Sequence, residues 1–268
     1  MKTGFLTLDA IEAFDRDGYI VVENLLDAEE TELLGTIARR DHVLVKARMS
    51  RADGEGGSVD LVVENELPAD SIYSAIVQAE PLVSAMESLL GDEVYHYHHK
   101  MILKEPRIGG AWTWHQDYGY WYNNGCLFPD MASCMFAVDR ATKENGCLQV
   151  LRGSHHMGRI DHIKRGDQTG ADMERVNVAL QRMELVHVEM TPGSAVLFHG
   201  NTLHRSDQNQ SENPRWAFIC CYNARSNDPY KDGRHPHYSP LDQVAANGIA
   251  AIGHRHLQML QTEAIPPQ

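Results

Sequence analysis

At 268 residues and 43% hydrophobic composition the chain is long enough to bury a full core, and one domain with insertions is expected rather than two. Its formal net charge of −13 argues against nucleic acid or an anionic membrane surface as the main partner, but not against a small anion held by a local cation. No apolar stretch is long enough to span a bilayer, acidic residues stand too early for a secretory signal, and Cys126, Cys134, Cys147, Cys220 and Cys221 form no metal-spaced pair, so a cytoplasmic protein with reduced thiols is expected.

Residues 8–17 carry apolar side chains at helical spacing and stop at Gly18, and 19–22 is a short β run. Asp27 can cap a helix with Glu29 and Glu30 in its first turn and Arg39 and Arg40 near its end, the order the helix dipole favours. Residues 51–57, rich in glycine and charge, read as a mobile loop. Residues 72–90 are helical again, interrupted at Pro81, so 1–92 forms a mostly helical N-terminal part. From Glu93 the pattern changes to short β runs between turns: 94–104, 112–115, 132–138, 147–151, 185–190, 195–199 and 216–222. Such spacing predicts a β-sandwich over 93–225, with the helices packed on one sheet. The polar insert 158–182 reads as a lid or binding segment, and 226–268 as a loop-rich tail.

The chemistry concentrates in His115-Gln116-Asp117, with His204 and Arg215 far downstream. Residues i and i+2 of a strand share a face, so His115 and Asp117 can hold one ion from a single strand end while another strand brings His204. Two imidazoles and a carboxylate suit Fe(II), with the opposite face open to a cosubstrate and O₂; Zn(II) accepts the same set. Arg215 precedes an apolar run and can enter the sandwich, where a buried arginine is costly unless an anion pairs with it. A guanidinium also grips a carboxylate through two parallel hydrogen bonds. An iron oxygenase consuming a keto acid is the reading these residues support. A hydrolytic zinc site and a catalytically silent metal-binding sandwich stay open beside it. On strand 94–104, alternation puts His96, His98 and Lys100 on one face and Tyr95, Tyr97, His99 and Met101 on the other. Tyr118, Tyr120, Trp121 and Tyr122 suit a pocket wall or a cation–π partner, and equally a core.

Four segments in order, DGYIVVENLL, WTWHQDYGYW, NGCLQVLRGSHH and PGSAVLFHGNTLHRSDQNQSENPRWAFICCYN, resemble the phytanoyl-CoA dioxygenase family of Fe(II)/2-oxoglutarate-dependent oxygenases over most of the chain. The resemblance implies a double-stranded β-helix, a cupin-like jelly roll, with flanking helices. It implies iron on His115, Asp117 and His204, and the far carboxylate of 2-oxoglutarate on Arg215 with a hydrogen bond from Ser206. A strand before the metal strand supplies a polar residue to the cosubstrate in this family; His98 is expected there, ahead of Lys100. Ectoine hydroxylases, a branch of the family, line the substrate pocket with a tryptophan at the offset of Trp121, although the rest of their motif is absent here. Trp121, Tyr118, Tyr120 and Lys100 are accordingly expected at the substrate pocket, with His155 and His156 near its mouth. The implied reaction is hydroxylation of an unactivated C–H, with release of succinate and CO₂. Asp117 stands where halogenating relatives have a small residue, which favours hydroxylation. A CoA thioester calls for a basic patch, and this chain offers only scattered basics such as Arg159 and Lys164. A small polar or zwitterionic metabolite is therefore the expected substrate, with an acyl-CoA or lipid-like molecule as the alternative.

Overall fold

A computed structural model describes residues 1–53, 56–165 and 167–263. The chain starts with α1 (Leu8–Asp17), β1 (Tyr19–Val22), α2 (Ala28–Arg40) and the short α3 (His42–Lys46). The hairpin β2 (Met49–Ala52) and β3 (Ser58–Glu64) follows, then α4 (Ile72–Val77) and α5 (Glu80–Leu90). Next come β4 (Val94–Lys104), β5 (Trp112–His115), α6 (Asp117–Trp121), β6 (Met131–Ala137) and β7 (Leu148–Leu151). A second hairpin, β8 (His162–Arg165) and β9 (Gln168–Ala171), leads into α7 (Met173–Arg182). The chain then runs through β10 (Leu185–Val188), β11 (Ala195–His199), β12 (His204–Ser206), β13 (Arg215–Ala224) and α8 (Gly248–Glu263).

The local signals act as expected at the start. Gly18 takes the left-handed cap conformation at φ 83° that closes α1, and Asp27 and Glu30 form a reciprocal capping box on α2. Pro81 sits in the first turn of α5, where its missing N–H costs nothing.

The strands assemble into a large antiparallel sheet ordered β1-β11-β6-β13-β4-β3-β2 and a smaller sheet β10-β7-β12-β5. Facing each other they make the double-stranded β-helix, which does not close into a barrel. Strand alternation sorts β13 between two cores. Trp216, Phe218, Cys220 and Tyr222 meet the helices on the outer face of the large sheet, while Ala217, Ile219 and Cys221 join the core between the sheets. Arg215 shares parity with the second set, so the strand aims it inward.

Three expectations need correcting. The segment 51–57 is not all loop: Arg51 and Ala52 pair with β3, and Gly54 and Glu55 lie outside the described residues. The insert 158–182 is largely regular, a hairpin docked on β5 followed by α7, because Val176 and Ala179 give it a buried apolar stripe. The tail carries α8, which packs on α2 and α4 and buries Ile249 completely. Among the described residues no helix is long and apolar enough to cross a membrane.

Candidate active site

β12 lies between β5 and β7, and its register places His204 directly beside His115, with ring centroids 4.0 Å apart. Asp117 is not on the strand as expected; it is the first residue of α6. Gln116 between them is extended (φ −110°, ψ 133°), so the same-face relation of residues i and i+2 survives the end of the strand. The ligand-capable atoms of His115, Asp117 and His204 all lie within 4.8 Å of one another, and the three residues are buried.

Backbone carbonyls prepare this set for a metal. Nδ1 of His115 faces the carbonyl of Thr113 at 2.8 Å, and Nδ1 of His204 faces that of Thr202 at 2.8 Å. A carbonyl can only accept, so each imidazole donates from Nδ1 and keeps its Nε2 lone pair for a ligand. Burial pushes both imidazoles below the ordinary histidine range, which keeps them neutral. Ser133 Oγ donates to Asp117 Oδ2 at 3.1 Å, and Lys100 Nζ lies 3.7 Å from Oδ1. Gln116 points the other way, fully buried. Its side chain bonds the backbone of Gly158, Ile160 and Asn201, and its N–H donates to His162 Nε2 at 3.0 Å. The middle residue of the motif thus latches the metal segment to the insert.

From this centre a narrow cavity runs inward between apolar walls that include Ile102, Met135, Phe198 and Ile219, and ends at Lys104, Ser206 and Arg215. Arg215 is 3% exposed and Lys104 0%. Among the described residues neither pairs with a carboxylate. The Arg215 guanidinium donates to the Gly146 carbonyl at 3.1 and 2.6 Å. Lys104 Nζ donates to Ser206 Oγ at 2.9 Å and to the Asp207 carbonyl. Burial holds Arg215 down to about 10, and burial together with Arg215 pushes Lys104 well below the ordinary lysine value. Two buried cations side by side are costly until an anion neutralises them. Donor set, tautomers and cation pair all fit a divalent metal with a dicarboxylate beside it.

Lys100, His115 and Asp117 also border a wider outer cavity of about 450 Å³. Its walls include His98, Tyr120 and Trp121, and from other parts of the chain Arg51, Asp167 and Arg234. Tyr120 hydroxyl donates to the Thr169 carbonyl of β9, and Trp121 meets Tyr97 and His98 edge-on at 5.5 and 5.9 Å. Three site expectations shift. A bulge in β4 opposite Cys221 and Tyr222 breaks the simple alternation: His96 turns to bond His99 at 3.1 Å, and Tyr97 joins His98 on the inner side. His98 keeps the face of Lys100 but borders the outer cavity, not the inner one, with its buried Nδ1 unpartnered. Tyr118 lines neither cavity; its ring packs in the core and its hydroxyl bonds the Leu127 carbonyl at 2.5 Å. His155 and His156 also lie away from both. His155 Nε2 faces the Asp15 carbonyl at 2.9 Å and its ring stands near His199.

A sequence profile of the phytanoyl-CoA dioxygenases matches residues 14–217. The chain belongs to the phytanoyl-CoA dioxygenase family. It is 28% identical over 245 residues to L-proline trans-4-hydroxylase of Streptomyces griseoviridis, covering 85% of this chain and 91% of that protein. It is 30% identical over 232 residues to ectoine dioxygenase of Sphingopyxis alaskensis, covering 80% and 75%. The crystal structure of EctD from S. alaskensis with 2-oxoglutarate and 5-hydroxyectoine superposes with a TM-score of 0.75 at 25% identity, over 90% of this chain and 88% of that one. This family member is accordingly an Fe(II)- and 2-oxoglutarate-dependent dioxygenase. Sequence reading overlooked Lys104, Ser133, Arg51 and Arg234. Lys104 was within reach, since it lies four residues after Lys100 on one strand and so shares its face; Ser133 carries no local signal.

Proposed function

We propose that the dioxygenase hydroxylates an unactivated C–H of a small polar or zwitterionic metabolite, with His115, Asp117 and His204 as the iron ligands. The observation that carries this reading is the inner cavity. It has a two-histidine, one-carboxylate cluster at one end and the unpaired cations Arg215 and Lys104 at the other. Arg215 and Lys104 neutralise the far carboxylate of 2-oxoglutarate. Ser206, already accepting from Lys104 Nζ, has its own proton left to donate to the same group. Ser133 and Lys100 orient Asp117, as residues around metal ligands commonly do. The apolar walls exclude water, and Tyr120 and Trp121 bound the space in which the substrate lies. When bound, Fe(II) supplies the oxidising chemistry: substrate C–H, 2-oxoglutarate and O₂ give the alcohol, succinate and CO₂. The likeness to enzymes named for proline and ectoine and an outer cavity mixing aromatic and charged walls favour a small polar substrate over an acyl-CoA.

Succinate release by protein reconstituted with Fe(II) in air tests the proposal. Turnover should require both iron and 2-oxoglutarate. It should fall more than about a hundredfold in Asp117→Ala, beyond the roughly 10–100-fold usual for residues that merely orient a ligand. Full turnover in that variant would overturn the ligand assignment.

A further inference from the structure

Charge is distributed unevenly in the outer cavity. The chain has 37 acidic and 24 basic residues, yet beyond Asp117 the described residues that line this cavity include Arg51, Lys100 and Arg234 against a single acid, Asp167. Lys100 already faces Asp117 at 3.7 Å. Among the described residues Arg51 and Arg234 pair with no carboxylate, although an acidic chain offers many. Both are held in place. Arg51 pairs with Val59 in the β2–β3 hairpin. The Arg234 carbonyl accepts from Asn65 at 2.9 Å, its Nε donates to His235 at 3.1 Å, and His235 stacks on Tyr97 at 4.5 Å between centroids. Deeper in the same cavity, buried His98 leaves Nδ1 without a partner. Guanidinium groups from two distant segments, lining one cavity and pairing with no described carboxylate, can form a receptor for a planar oxyanion.

We infer that the substrate is a small carboxylic acid whose carboxylate is taken by Arg51 and Arg234 in the outer cavity, with its reactive C–H directed to the floor beside His115 and Asp117. His98 is placed to hydrogen-bond a polar group nearer the reacting carbon. Asp167 is placed to meet an ammonium on the same molecule. A volume of about 450 Å³ suits a metabolite of amino-acid size. The inference rests on the proposed iron and 2-oxoglutarate sites.

The test uses anaerobic protein loaded with Fe(II) and 2-oxoglutarate and follows the visible band of the chelate. The probes are the common L-amino acids, their carboxamides, and palmitoyl-CoA with free palmitate. At least one free amino acid should shift the band, with its carboxamide about tenfold weaker or worse. In succinate-release assays with that acid, Arg51→Gln and Arg234→Gln should each raise KM about tenfold, with kcat near the starting value. A carboxamide that matches its acid, palmitoyl-CoA acting where no amino acid does, or an acid whose KM survives both substitutions overturns the inference. A band that no probe shifts removes this inference alone. Absence of the band before any probe is added removes it together with the reading it rests on.

Discussion

Lys104 and Arg215 bring two buried basic groups to the inner cavity, where no described carboxylate pairs with them. Lys104 in particular is held well below its ordinary value, by burial first and by Arg215 second. Between that depressed value and about 10.5, the folded ligand-free protein therefore holds fewer protons than the unfolded chain, and its stability rises with pH across that window. A bound dicarboxylate favours the charged form of Lys104, so within that window binding takes up protons and should weaken as pH rises. Lys104→Met should bind 2-oxoglutarate about tenfold or more weakly at neutral pH and lose that pH slope. Dissociation constants from pH 7 to 10 in both proteins check this; an equal slope in the variant would refute it. At this scale the sequence was legible where chemistry repeats a short pattern. His115, Asp117 and His204 stand out because they fall within segments that match the family in order, since HxD alone arises by chance in a chain with 15 histidines, and Arg215 because it heads an apolar run. Tyr118 was misread because an aromatic beside metal ligands looks the same in sequence whether it packs into a core or lines a pocket.

Elements decide where those side chains point. β5 and β12 bring the histidines together by register, whereas the bulge in β4 turns Tyr97 onto the face that His98, Lys100 and Lys104 share. Strand positions were legible from runs of β-formers. β4, β5 and β11 coincide with the expected ranges, β7 and β10 differ from them by one or two residues at one end, and β6 and β13 by one or two at each end. The bulge was not legible, since it depends on the partner strand β13 rather than on β4 alone. The regular structure of the insert was not legible for a related reason, because a lone hairpin is marginal in water and gains its stability on docking, although the expected binding segment does line the outer cavity through Asp167, Gln168 and Thr169. Gly119 in α6 tests that docking. A Cβ there would lie 2.0 Å from Cε1 of His162, whose ring is fixed by the Ile160 carbonyl at one nitrogen and the Gln116 N–H at the other. Gly119→Ala should therefore displace the hairpin, cost about 1–3 kcal/mol in denaturant unfolding, and weaken Fe(II) binding through Gln116. Unchanged stability and iron affinity would show that the latch is dispensable.

Across the whole molecule, the large sheet separates two tasks. One face packs on the helices and holds the main apolar core; the other faces the small sheet and carries the cavities. α8 belongs to the first task. It went unread in the sequence because its polar neighbours and glycines hide the buried stripe that packs on α2 and α4. Ile249→Ala removes a fully buried side chain and should cost about 2–4 kcal/mol of stability while leaving 2-oxoglutarate affinity intact. A parallel loss of affinity would contradict the separation of core and site. The net charge of −13 belongs to the surface, whereas Lys100, Lys104 and Arg215 make the interior around the centre locally positive. The most direct test of that arrangement is an anaerobic titration of metal-free protein with Fe(II) and then 2-oxoglutarate, reading the visible charge-transfer band of the chelate. The account predicts a band in the unsubstituted protein that weakens strongly in Arg215→Ala. Iron bound without a band, or an undiminished band in the variant, would contradict it.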